Sequence, residues 1–289
     1  MRDFDQKVAV VTGAASGIGL ALAHAAARVK MRVVLADVER GPLDEAAAAV
    51  AAHGVETLAV PTDVSDAAAV EALAGRTIER FGAVHLLCNN AGVAISGPMW
   101  MHTLADWQWL LGVNLWGVIH GVRVFTPIML AQGEPAHIVN TASIAGTVCA
   151  PGTGIYNVSK FGVVALSETL SLELELFGAP VKVSVLCPGF VNTRILDSAR
   201  NRPATLADAG PPPPAQESME PVIRQLLATG QAPDDVAAAV FDAVRNERFY
   251  VFPNPVWKER IRERMEGMLE ERNPDPAQIM MLSGRGWPN

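Results

Sequence analysis

Cysteine is scarce: Cys88, Cys149 and Cys187 are widely separated and form no CxxC pair. An odd, scattered set argues against a disulfide framework and a thiolate zinc site, and it fits a reducing, cytoplasmic setting. The six histidines show no metal-ligand spacing, so no metal is expected. Positive charge is also short, with 23 Lys and Arg against 30 Asp and Glu and a net charge of −7. The basic footprint of a nucleic-acid binder is therefore missing. No uninterrupted apolar run reaches the roughly 18 residues of a membrane helix. The opening MRDFDQKVAVVTG carries acidic residues where a secretory signal would be basic. A soluble protein with neither nucleic-acid nor membrane partners is expected.

What the chain does have is a rhythm. Short β-branched runs (KVAVVT, MRVVLAD, VETLAVPTD, VHLLCNN, AHIVNTAS, VKVSVLCPG) alternate with longer, often Ala-rich amphipathic segments. Strands that are continuously apolar are buried on both faces, and their alternation with helices makes parallel βαβ units. The expected fold is α/β: a single domain over 1–289, with a doubly wound parallel sheet of about seven strands and helices on both faces.

After Gly189 the rhythm breaks. Residues 194–230 include PPPP at Pro211 to Pro214, which favours extended backbone, and the stretch reads as a long lid over the carboxyl edge of the sheet, mobile without substrate. A helix from about Asp234 to Arg245, its start capped by Asp234 and Asp235, and a last strand in RFYVF follow. They complete 231–252 behind a 5–193 core. The remainder, 253–289, holds Trp257, Ile261, Met265 and Met268 at helical spacing, an amphipathic helix with one apolar face.

Directly after the first strand comes TGAASGIG, with glycines at 13, 17 and 19 and a helix starting among them. Glycine allows a tight turn and a close approach to a pyrophosphate, and the helix N-terminus offers free N–H groups to it. Asp37 ends the second strand, where an acidic side chain accepts hydrogen bonds from adenosine ribose hydroxyls. Ala14, Ala15 and Val38 bring no cation to meet a 2′-phosphate, and Arg40 is expected to point to solvent or pair with Glu39, so NAD is expected over NADP.

The stretch GIYNVSKFG, Gly154 to Gly162, sets a phenol and an ammonium on one helix face, because positions i and i+4 are neighbours. An ammonium beside Tyr156 would favour its phenolate and make it a usable acid and base.

Together these residues resemble the short-chain dehydrogenase/reductase superfamily, from about Lys7 to Thr193. TGAASGIG is similar to the family's TGxxxGxG loop, NNAG (Asn89 to Gly92) to its sheet-steadying motif, and PGFVNT (Pro188 to Thr193) to the segment beside the nicotinamide. The resemblance implies a catalytic tetrad of Asn114, Ser143, Tyr156 and Lys160. Tyr156 would take the alcohol proton, Ser143 would hold the substrate oxygen, and Asn114 would bend its helix and hold a water behind Lys160. It further implies NAD bound by Gly13, Ser16, Gly17, Ile18, Gly19, Asp37, Asp63, Val64, Asn90, Ala91, Gly92, Tyr156, Lys160, Pro188, Gly189, Val191 and Thr193.

Pocket candidates by position are Ile95 and Trp100, Ser143 to Cys149, Tyr156, Phe190 and the 194–230 lid. Mostly apolar walls point to a hydrophobic secondary alcohol or ketone. The loop and tail also resemble bacterial members that oxidise lignin-type benzylic alcohols. A biosynthetic reductase using NADPH and a non-catalytic nucleotide sensor stay open. The resemblance implies a homo-tetramer, or at least a dimer, built on the helices holding 104–131 and 154–178.

Overall fold

The first strand, β1 (Val8–Thr12), is buried along its whole length, as VAVVT leads one to expect. The computed structural model describes residues 1–207 and 214–275. From β1 the chain runs through α1 (Gly17–Arg28), β2 (Arg32–Asp37), α2 (Arg40–Ala51), β3 (Thr57–Pro61), α3 (Ala67–Phe81) and β4 (Leu86–Asn89). A long helical run follows, α4 (Leu104–Leu111) and α5 (Gly117–Gln132) joined by a π-turn at Gly112–Trp116, and then β5 (Ala136–Thr141), α6 (Gly154–Leu176) and β6 (Val181–Leu186). The last described elements are α7 (Pro214–Ala228), α8 (Pro233–Arg245), β7 (Tyr250–Val251) and α9 (Trp257–Leu269).

The seven strands form one parallel sheet in the order β3-β2-β1-β4-β5-β6-β7. The order reverses between β1 and β4, and a crevice opens at the carboxyl ends on either side of that switch. Helices cover both faces. Leu22, Ala26, Val240 and Val244 pack on one side of the strands, and Leu73, Phe125, Met129 and Leu174 on the other. Across the sheet centre Asn89 donates to Asn140 (2.9 Å), and Asn140 donates to Ser167 (3.0 Å). Gly121 lets the Asn89 amide pass, because a Cβ there would stand 2.0 Å from Oδ1.

Local chemistry sets several boundaries. Asp66 caps α3 by accepting from the Ala68 N–H, and Gly82 ends that helix at φ 74°. Thr103 and Asp106 form a reciprocal capping box on α4. The π-turn places Asn114 inside the fold, where it accepts from the Val93 N–H (2.8 Å) and donates to the Val93 carbonyl (2.9 Å).

Three sequence expectations need correction. The described part of 194–230 is not extended backbone: short 3₁₀ turns at Ile195–Asn201 and Ala204–Leu206 and the helix α7 make it up. Pro214 opens α7 and Pro221 sits inside it, while Pro211 to Pro213 lie outside the described residues. Asp234 and Asp235 do not cap α8. Ala232 holds the cap position, Pro233 takes the first turn, and Asp234 pairs with Arg28 at 3.1 Å. On α9 the apolar stripe is divided, with Trp257 buried but Met265 and Met268 exposed. Residues 276–289 of the expected tail lie outside the described residues. The run Leu104–Gln132 has the length and hydropathy of a membrane span, but it packs against the sheet as one layer of the fold.

His137, in the middle of β5, is fully buried; its Nε2 meets Ser184 Oγ at 2.8 Å. Burial pushes its imidazolium down to about 3. The unfolded chain then takes up a proton near the ordinary value of about 6.5 while the folded chain does not. Stability is full above that value and falls by up to about tenfold in the folding constant per pH unit as pH drops toward 3. Denaturant midpoints measured from pH 7 to pH 5 should show the loss, and His137→Gln should flatten it. An equally steep loss in the variant would contradict this account.

Candidate active site

The crevice at the strand carboxyl ends is a cleft of about 1000 Å³, at the upper end of the usual ligand-pocket range. At one end the glycine loop turns through positive φ at Gly13 (65°) and Gly17 (56°). Ser16 stands at the N-cap of α1 without a side-chain hydrogen bond, and with Gly17 and Ile18 of the first turn it lines the cleft. Gly19 is buried behind the loop, where a Cβ would meet the Gly13 carbonyl oxygen at 2.0 Å, so it shapes the cleft without lining it. The Asp37 carboxylate accepts from the Ala15 N–H (3.0 Å) and the Glu39 N–H (3.1 Å), which ties β2 to the loop. Asp63 accepts from the N–H and hydroxyl of Ser65. Asn90 donates to the Thr12 carbonyl at 3.0 Å and brings Ala91 and Gly92 to the floor.

The other end holds Ser143, Tyr156 and Lys160. Ser143 follows β5, accepts from the Ala145 N–H (3.1 Å) and donates to the Pro188 carbonyl (3.4 Å). The first turns of α6 project Tyr156 and Lys160 inward. Lys160 Nζ donates to the Thr141 carbonyl at 2.9 Å and lies 5.5 Å from the centre of the Tyr156 ring. Asn114 does not line the cleft, but it stands behind this end with its Oδ1 near the place a Cβ on Gly92 would take.

The electrostatics differ from the expectation drawn from the i, i+4 pair. Burial pushes the Tyr156 phenol up to about 12, with Ser143 pulling the other way, and it pushes the Lys160 ammonium down to about 8. Desolvation penalises both charged forms and outweighs the ammonium's attraction for the phenolate, because Lys160 bonds a carbonyl and does not donate to the phenol.

Apart from Gly19, the expected cofactor residues line the cleft, Ile18, Val64, Pro188, Gly189, Val191 and Thr193 among them. So do Ile95, Cys149 and Phe190 of the expected substrate set. Trp100 does not: it is 86% exposed on the 3₁₀ turn Met99–Met101, while Trp109 turns inward instead. Glu39 does not pair with Arg40. It holds Arg200 of the 3₁₀ turn Ile195–Asn201 in a two-pronged pair at 3.0 and 2.8 Å.

Arg200 and the apolar face of α7, with Val222, Ile223, Leu226 and Leu227, lie within the 194–230 segment expected at the pocket, but the sequence singled out none of them, nor Trp257 as a lining residue. The α7 face could have been found from helical spacing in 222–227; Trp257 carries no local signal of its destination. Among the described residues no group of three metal-ligating side chains occurs.

The family model for short chain dehydrogenase matches residues 7–204. This chain belongs to the short-chain dehydrogenase family. It is 37% identical to the 1-deoxy-11-beta-hydroxypentalenate dehydrogenase of Streptomyces avermitilis, covering 85% of this chain and 84% of the relative. It is 33% identical to the CLA biosynthesis dehydrogenase/reductase of Lactiplantibacillus plantarum, over 95% and 97%. A short-chain dehydrogenase/reductase from Burkholderia phymatum, solved in complex with NAD, superposes with a TM-score of 0.94 at 46% identity, covering 95% of this chain and 98% of that one. The protein is an oxidoreductase of this family with its Rossmann fold. The glycine loop, the free α1 N-terminus and Asp37 fit the pyrophosphate and ribose of a nicotinamide dinucleotide.

Proposed function

We propose that this short-chain dehydrogenase interconverts a hydrophobic secondary alcohol and its ketone with NAD, using Tyr156 as general acid and base. The observation that carries the reading is the convergence of Ser143, Tyr156 and Lys160 at one end of a cleft whose other end suits a dinucleotide. When bound, the dinucleotide accepts or gives the hydride, so that alcohol and NAD⁺ yield ketone, NADH and one proton. Ser143 would donate to the substrate oxygen as charge develops there. Tyr156 would take the carbinol proton, and Lys160 would hold the charge beside it. The apolar walls set by Ile95, Trp109, Phe190 and α7 exclude water and favour a largely apolar substrate. A panel of secondary alcohols and ketones, followed by the absorbance of reduced nicotinamide, tests this directly. Absence of turnover across a panel of aliphatic, benzylic and polycyclic members would defeat it.

The coupled pair sets the pH dependence. Tyr156 and Lys160 share a desolvated site, so the first proton leaves the pair as a whole, and Lys160 pushed down to about 8 marks where. The pair short of one proton is the form able to take the carbinol proton. Oxidation should therefore accelerate as pH rises through an apparent pKa of about 8, below tyrosine's reference of about 10. A flat profile between pH 6 and 10, with chemistry rate-limiting, would contradict this.

We further propose a cytoplasmic homo-tetramer, or at least a dimer. Trp116 on the π-turn, Leu130 on α5, Leu172 and Leu176 on α6 and the adjoining Phe177 are exposed, an apolar surface that a monomer would leave in water. Light scattering should give a multiple of 30.7 kDa, and a monomer mass at micromolar concentration would refute it.

A further inference from the structure

The cleft does not end at the reacting groups but continues along α9. Trp257 closes on the β6 end, where a Cβ on Gly189 would come within 2.2 Å of its indole nitrogen. Two helical turns further, about 10 Å along the axis, Arg264 lines the same cleft. Its guanidinium lies 5.0 Å from the centre of the Phe161 ring. Arg260 is taken by Glu263 and Arg272 by Glu270, each at 2.7 Å, whereas Arg264 has no carboxylate partner among the described residues. The α7 side chains Ile223, Leu226 and Leu227 line the same cleft.

Arg264 is partly buried, lines the cleft beside apolar side chains and has no counter-charge among the described residues, so a carboxylate entering the cleft would meet a guanidinium that none of them neutralises. Stacking on Phe161 orients the planar fork and leaves an edge free for the two parallel hydrogen bonds that a carboxylate accepts. We infer that the substrate is an amphipathic carboxylate: an apolar chain or ring system carrying the carbinol at the Tyr156 end and its carboxylate at Arg264. This rests on reading the cleft as the alcohol site. Arg264 is thus a specificity residue remote from the chemistry.

Calorimetry tests the recognition without turnover. Decanoate and methyl decanoate, titrated into the full chain with saturating NAD, should differ by about tenfold to a hundredfold in affinity in favour of the acid, the range of a charge-assisted hydrogen bond. Arg264→Gln should collapse that ratio, Arg264→Lys should restore part of it, and Arg262→Gln, on the exposed side of α9, should leave it intact. The kinetic arm compares methyl-ketone acids of eight to fourteen carbons with their methyl esters in the presence of NADH. The acid should gain at one chain length through KM, and Arg264→Gln should remove the gain. Equal binding of acid and ester, or a preference surviving in Arg264→Gln, would overturn the inference. Arg264-dependent binding of the acid with no turnover of any ketone would uphold the carboxylate site and instead defeat the alcohol reading.

Discussion

Tyr156→Phe is expected to lose about a hundredfold to ten-thousandfold in turnover, the span that a positioned acid-base group contributes, while keeping its fold and its affinity for NAD. The substitution deletes one oxygen and leaves the ring in place. That ring packs with the cluster of Val93, Trp109, Leu110 and Ile155, so neither a cavity nor a shift of α6 follows. What goes is the acceptor for the carbinol proton. Lys160 cannot replace it, because its Nζ is held on the Thr141 carbonyl at 2.9 Å. Single-turnover formation of reduced nicotinamide, beside calorimetric titration with NAD, separates the two effects. A variant within a few-fold of the parent would sink the mechanism, and one that no longer binds NAD would show that the phenol serves structure.

The second large effect is cofactor choice. NAD is expected over NADP by about a hundredfold or more in kcat/KM. The Asp37 carboxylate lines the cleft and can accept from both ribose hydroxyls, whereas a 2′-phosphate would bring like charge against it at short range. Such repulsion, partly shielded from water, costs on the order of several kcal/mol, and each 1.4 kcal/mol or so is tenfold. A cation could cancel the penalty, so the nearby arginines decide. Arg40 is exposed and Arg194 is exposed at the rim. Arg200 comes closer, but both prongs of its fork are taken by Glu39, so it arrives already neutralised. Asp37→Ser should narrow the preference mainly by admitting NADP. Glu39→Gln should release Arg200 and shift the preference the same way. If NADP matches NAD in the unaltered enzyme, Arg200 is leaving Glu39 for the phosphate, and the argument from Asp37 fails.

The sheet was legible because its strands are short, largely apolar runs, most of them rich in β-branched residues, alternating with helices. The site was legible where chemistry demands residue types at fixed local spacing: Gly13, Gly17 and Gly19 in one turn, Tyr156 and Lys160 on one helix face. Legibility failed where an outcome depends on residues far apart. The pairing of Glu39 with Arg200 spans 161 positions, and nothing in either segment announces it. Helix α7 was hidden by PPPP and by Pro221, although a proline at the first turn costs a helix nothing, since its N–H would be unpaired there anyway. Trp100 and Trp109 are chemically alike, and only their places in the fold, on the turn Met99–Met101 and on the buried face of α4, send one to solvent and the other inward. The phenol's direction of shift was misjudged for a related reason. Spacing tells that Lys160 is close to Tyr156, but not that both are stripped of water together.

Trp257 sits on Gly189, yet α9 joins the domain beyond its last strand and contributes nothing to the ladder. A wall of the substrate cleft is therefore built from a part of the chain that the sheet does not need. Beyond Trp257, the residues of α9 can thus reshape the cleft without altering any strand pairing.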